Sequence, residues 1–201
     1  MKSVGVLVSG RGTNLQALID AARAGALGGQ IALVISNVAG VEGLERARRA
    51  GIPWVVLDHR GRAREDHDRD VVEGLRGAGC ELVCLAGYMR IASRVLLGAF
   101  PDRVLNVHPS LLPAFPGQNA QRQALEHGVK VSGATVHFVS EGLDAGPILR
   151  QEAVRVLATD TEETLSARIL EAEHRIYPGA VRLVLEDRYR VEGRRVITEE
   201  G

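Results

Sequence analysis

Asn106 and His108 stand two positions apart in the stretch V-L-N-V-H-P-S-L-L-P, Val104 to Pro113, so on an extended chain both side chains leave the same face. Asn supplies an amide donor that never titrates, and His a proton whose affinity can be tuned around neutrality. Together they suit attack on a carbonyl carbon, where a developing oxyanion needs a donor and a proton must move. Val104, Leu105 and Val107 read as the end of a buried strand, and Pro109, with no N–H to give, ends its ladder. Taken alone, an Asn and a His at a strand end more often do no more than satisfy the local backbone.

Such a pair needs a scaffold that opens a strand end to solvent, and the pattern before it supplies one. Apolar runs at Val4 to Val8, Ile31 to Ser36, Trp54 to Leu57 and Leu82 to Ala86 alternate with helical spacings over Asn14 to Ala24, Glu42 to Ala50 and Arg64 to Arg76. Strand–helix alternation predicts parallel strands joined by right-handed crossovers. Beyond His108 a Pro- and Gly-rich loop, Pro109 to Gly117, leads to a helix over Ala120 to His127. Extended runs then follow at Val131 to Val139 and Pro147 to Val156. A long helix runs from Thr161 to Leu185, with Thr161 or Asp160 as its cap and Glu162 and Glu163 in its first turn. Tyr189 to Glu192 and Arg194 to Thr198 could close as a hairpin around Gly193 or fray. The expected fold is α/β: an open, mostly parallel Rossmann-like sheet with an antiparallel C-terminal extension, in one domain spanning 1–201.

Composition narrows the function classes. Twenty-five basic side chains equal 25 acidic ones, which gives no electrostatic case for nucleic acid or an anionic membrane surface. Any phosphate must therefore be held by a local site. The four-residue step between Cys80 and Cys84 matches neither C-x-x-C nor a zinc set, so buried free thiols in a reducing cytoplasm are expected. The N-terminal apolar run passes straight into a glycine turn and reads as a strand, and no run approaches membrane-spanning length.

Ser9-Gly10-Arg11-Gly12-Thr13-Asn14 lies between the first strand and the first helix, where backbone N–H groups make an anion site. The third glycine of a dinucleotide turn is missing, Leu15 standing there, and the second strand ends in Ser36-Asn37 with no acid for a ribose hydroxyl. Phosphate binding thus outranks NAD binding, although a tight turn alone would already explain Gly10 and Gly12.

The N-x-H-x-S-L-L-P signature, the G-Y-M-R-I segment at 87–91 and L-D-A-G-P at 143–147 resemble the folate-dependent formyltransferases in one register from Val4 to about Pro178. That resemblance implies catalytic roles for Asn106, His108 and Asp144. A carboxylate at Asp144 would favour the imidazolium of His108 and so raise its pKa, keeping a general acid protonated. Donor contacts are implied at Arg64, Met89, Arg90, Ile91, Ala92 and Asn106, and across the turn Ser140, Glu141, Gly142, Leu143 and Asp144. The resemblance also implies Gly12, Thr13 and Asn14 at the phosphate of the acceptor, and Glu173 at its ribose or glycinamide. His137 reads as a hydrogen-bonded neighbour at most. Leu170 stands where the family commonly has glutamine, and Asn119 where it has histidine.

The reaction so implied moves a formyl group from 10-formyltetrahydrofolate to the amine of 5′-phosphoribosylglycinamide, a step of purine biosynthesis, with no metal. A tRNA-acting branch carries an additional C-terminal domain and a basic surface, and the hydrolase branch an N-terminal regulatory domain, so a neutral chain of this length is expected in neither. Monomer and homodimer both remain open.

Overall fold

In the computed structural model residues 1–198 are described; 199–201, the end of the expected domain, lie outside the described residues. The strands are β1 (Ser3–Val8), β2 (Gln30–Ser36), β3 (Trp54–Val56), β4 (Leu82–Leu85), β5 (Val104–His108), β6 (Val131–Phe138), β7 (Ile148–Arg155), β8 (Tyr189–Glu192) and β9 (Arg195–Thr198). Between them run α1 (Thr13–Arg23), α2 (Glu42–Ala50), α3 (Arg64–Gly77), α4 (Arg94–Ala99), α5 (Ala120–Glu126) and α6 (Glu162–Leu185). All the described strands join one sheet in the order β3-β2-β1-β4-β5-β6-β7-β9-β8. The first five pair in parallel, while β6 and β7 turn antiparallel, as the change of pattern after His108 predicts. The terminal pair closes as a hairpin and meets β7 through Ile148 and Arg195.

Alternation along the strands divides the core between the two sheet faces. Val4, Val6 and Val8 pack with Leu15 and Leu18 of α1 and with Ile169, Ala172 and Val181 of α6. Leu7 turns to the other face, with Val71 and Leu75 of α3 and Leu96 of α4. Gly5 lets α3 approach there, since a Cβ at that position would stand 2.1 Å from Leu75 Cδ2. Cys80 and Cys84 are buried free thiols, pushed by burial to about 11 and about 12, so neither is a ready nucleophile.

Helix α6 starts at a capping box between Thr161 and Thr164 and continues through Pro178. Tyr177 fastens it across the sheet: its buried hydroxyl donates to the Leu85 carbonyl (2.9 Å) and is shared with that of Leu105 (3.2 Å). The carboxyl ends of β4 and β5 are thereby held under one helix. The element that the sequence pattern does not show is α4. Its six residues, R-V-L-L-G-A, are too few to display a helical period, and Ser93 caps it by accepting from Val95 N–H at 3.3 Å.

Candidate active site

After β1 the chain goes to β2 and β3 on one side of the sheet, then returns to place β4 on the other side of β1. This reversal opens a crevice outside the strand ends, the place where open α/β sheets receive ligands. Ser9 ties the surrounding loops together. Its hydroxyl donates to Asn37 Oδ1 (2.6 Å) and accepts from Met89 N–H (2.8 Å), and its own N–H donates to the Gly87 carbonyl (3.2 Å).

A cleft of about 790 Å³ begins here, walled by Ser9 to Asn14, Met89, Val107 and Pro109, with Ser166, Leu170 and Glu173 of α6 opposite. Gly12 caps α1 with a left-handed backbone, φ 67°. A Cβ there would also stand 2.6 Å from the Cα of Gly43, so only glycine fits. The N–H groups of the first turn have no helical acceptor and suit an anion.

The side chain of Asn14 has a different task from its backbone. Its Nδ2 donates to Glu173 Oε2 at 2.7 Å in a buried pair, and its Oδ1 is buried without a partner. Burial pushes the Glu173 carboxyl up to about 7, against the opposing donation from Asn14. The turn expected to hold the phosphate and Glu173 are therefore neighbours, although 159 positions separate Asn14 from Glu173. Leu170 lies one helical turn before Glu173 in the same wall, and Asn119 takes a left-handed backbone, φ 58°, at the start of α5.

At the end of β5 the side chains of Asn106, His108, His137 and Asp144 come together. His108 Nε2 lies 2.8 Å from the Phe115 carbonyl; because a carbonyl can only accept, Nε2 carries the proton. The other nitrogen, Nδ1, faces Asp144 Oδ2 at 3.3 Å. Gly117 N–H donates to that same Oδ2 at 2.8 Å, which binds the proline-rich loop to the Asp144 turn. His137, paired with Asn106 across β5 and β6, donates from Nδ1 to its neighbour's carbonyl, Phe138 O, at 3.0 Å. Its Nε2 then stands 3.3 Å from Asn106 Nδ2 and 3.6 Å from Asp144 Oδ1.

Burial reverses the expected direction of the His108 shift. Burial lowers its pKa below the ordinary imidazole value, outweighing the upward pull of the Phe115 carbonyl and of Asp144, while His137 adds to the lowering. Burial and the carboxylate thus act on the ring in opposite directions, and burial has the larger effect. Burial alone would raise the carboxyl of Asp144, but His137, Gly117 N–H and the charge of His108 together hold it below the usual range. Asp144 is a carboxylate.

The expected donor-side residues divide into three places. Met89 to Ala92 follow β4, with Met89 73% and Ile91 50% exposed, and Arg90 Nε is buried without a partner. Ser140 to Leu143 form the facing turn; Leu143, 58% exposed, lies against Gly117, and Glu141 meets Arg94 of α4 at 2.9 Å. Arg64 is exposed on the first turn of α3, and among the described residues no hydrogen bond or ion pair joins it to these loops. Asp68, a turn further on, does the joining: its buried Oδ2 accepts from Ser93 N–H at 2.8 Å. Ser9, Asn37, Asp68 and the placing of His137 escape sequence reasoning; for Ser9 and Asn37 the available signal is their position just after two strands that end at one sheet edge.

Residues 1–181 match the formyl transferase family. Phosphoribosylglycinamide formyltransferase of Escherichia coli (strain K12) is 44% identical over 174 residues, 86% of this chain and 82% of that protein. The trifunctional purine biosynthetic protein adenosine-3 of Gallus gallus is 52% identical over 182 residues, 90% of this chain, which spans only 18% of that protein's length. The crystal structure of glycinamide ribonucleotide transformylase 1 from Symbiobacterium toebii superposes with a TM-score of 0.97 at 57% identity, covering 98% of this chain and 94% of that one. The chain belongs to the formyl transferase family.

Proposed function

We propose that this protein transfers the formyl group of 10-formyltetrahydrofolate to the amine of 5′-phosphoribosylglycinamide, as a single formyltransferase domain. The observation that carries the reading is the meeting of Asn106, His108 and Asp144 at one strand end, beside a cleft that begins at a glycine-capped helix N-terminus. Family membership supports a folate-type donor, and relatives named for phosphoribosylglycinamide support a small-molecule acceptor. No helix among the described residues is long and apolar enough to cross a membrane.

The acceptor phosphate would sit on the N–H groups of Gly12, Thr13 and Asn14, with Glu173 toward the sugar. The donor would lie between Met89 to Ala92 and Ser140 to Leu143, where the exposed Met89, Ile91 and Leu143 offer apolar surface to a flat ring. When the amine attacks the formyl carbon, Asn106 Nδ2–H is the donor aimed at the growing oxyanion. His108 takes the amine proton at Nδ1, Asp144 stabilises the imidazolium so formed, and the proton is returned to the departing nitrogen of the donor. His137 Nε2 accepts from Asn106 Nδ2–H and so fixes the amide.

A hydrolase using the same residues on water is the competing reading. Release of tetrahydrofolate should require the ribonucleotide and rise with its concentration to saturation. Equal release in its absence would make the protein a hydrolase.

A further inference from the structure

The anion-binding turn is held from behind by α2. Gly43 N–H donates to the Gly10 carbonyl at 3.0 Å, and Arg46 Nε–H donates to the Arg11 carbonyl at 2.8 Å. The same guanidinium reaches Gln16 Oε1 in the first turns of α1 at 3.4 Å and Glu42 Oε1 in α2 at 2.6 Å. One planar fork thus spans the loop, the helix that follows it and the helix behind it.

A trans peptide unit points its C=O and N–H in opposite directions. With the carbonyls of Gly10 and Arg11 drawn toward α2, the N–H groups of Arg11 and Gly12 are turned the other way, toward the cleft that Arg11 and Gly12 line. The carboxylate of Glu42 answers the charge of Arg46, so the guanidinium acts on a substrate phosphate through the peptide it orients more than through its field. Arg46 also closes the back of the turn, its Cδ lying 3.5 Å from where a Gly12 Cβ would be.

We propose that Arg46 is a positioning residue for phosphate recognition: it fixes the Arg11–Gly12 peptide so that the Gly12 N–H faces the phosphate of the acceptor. The inference rests on the reading of this turn as the phosphate site. It makes Arg46 a determinant of selectivity for phosphorylated over unphosphorylated acceptor, at a distance from the proton-transfer cluster.

The test compares kcat and KM for the ribonucleotide, for the same glycinamide riboside without its phosphate, and for the folate donor, in wild type, Arg46→Met and Arg46→Lys. Arg46→Met keeps the aliphatic stem and removes the donors. It should raise KM for the ribonucleotide about tenfold, the scale of one charged hydrogen bond. The riboside, the donor KM and kcat should change less than about twofold, so the preference for phosphate falls. Arg46→Lys keeps the charge without the fork and should recover only part of that preference.

An unchanged preference in folded Arg46→Met overturns the proposal. So does a parallel loss for ribonucleotide, riboside and donor with a lowered Tm, which is the mark of a merely structural brace. Full wild-type preference in Arg46→Lys would make charge the agent, and overturns it even if Arg46→Met does not fold. A wild type that itself shows no preference for the phosphate is a different result: it removes the phosphate reading of the turn before Arg46 is considered.

Discussion

Nδ1 of His108 lies 3.3 Å from Oδ2 of Asp144, and Asp144 is held there with a left-handed backbone, φ 48°. That conformation is uncommon for a residue with a side chain, and Asp is among those that tolerate it. The pair opposes two influences on one proton, since burial drives it off His108 and the carboxylate draws it on. Replacing Asp144 by Asn removes the upward pull alone. The pKa of His108, already below its ordinary value, should fall further, and the acid limb of the pH–rate profile should move to lower pH with it. Titration of the His108 ring by NMR in both proteins measures this, and equal values would show that the two groups are not coupled.

The separation of binding from chemistry gives a second expectation. Asn106→Ala and His108→Ala should each lower kcat by roughly two or more orders of magnitude, the scale of an oxyanion donor or a proton-transfer group. Donor affinity, which the proposal assigns mainly to the loops at 89–92 and 140–143, should change little. Stopped-flow binding beside steady-state turnover separates these effects, and near-normal kcat in either variant removes that residue from the chemistry.

Glu173 predicts a dependence of stability on pH. Its folded pKa is raised to about 7, above the ordinary carboxyl near 4.3, so the folded state binds its proton more tightly than the unfolded one. Its contribution is fully present below the unfolded value and is lost as pH rises through about 7. Glu173→Gln keeps the shape without the titration, so the ligand-free variant should gain a few degrees of Tm over wild type at pH near 8 and little near pH 4. Acceptor binding should weaken at the same time. A wild-type Tm difference that does not vary with pH would contradict the raised pKa.

Removing the 5′-phosphate from the acceptor should weaken its binding by one to several orders of magnitude, because the N–H groups proposed to hold it, at the start of α1, then lose their anion. NAD should not compete. Calorimetric titration of riboside and ribonucleotide reads the difference, and equal affinities would place the phosphate elsewhere.

The legible part of this molecule is what short-range pattern encodes. Period-two runs and helical spacings give the sheet and its change to antiparallel pairing after His108, because each strand's burial is written in its own residues. The N-x-H strand end and L-D-A-G-P are local as well, and the structure brings them together. What the pattern does not reveal depends on the third dimension. Helix α4 is too short for a period. The pairing of Asn14 with Glu173 needs α6 to lie across α1, and the lowered pKa of His108 needs the depth of burial at the end of β5. The expectation of a protonated His108 follows from its charge partner alone; desolvation, invisible in the sequence, has the larger effect.

The fate of the formyl group decides the central claim. With isotopically labelled formyl on the folate donor and saturating 5′-phosphoribosylglycinamide, a single turnover of wild-type protein should place the label on the ribonucleotide amine, and Asn106→Ala and His108→Ala should abolish or greatly slow its arrival. Label recovered as free formate, or label reaching the amine at the wild-type rate in both variants, would contradict the assignment of this strand end to formyl transfer.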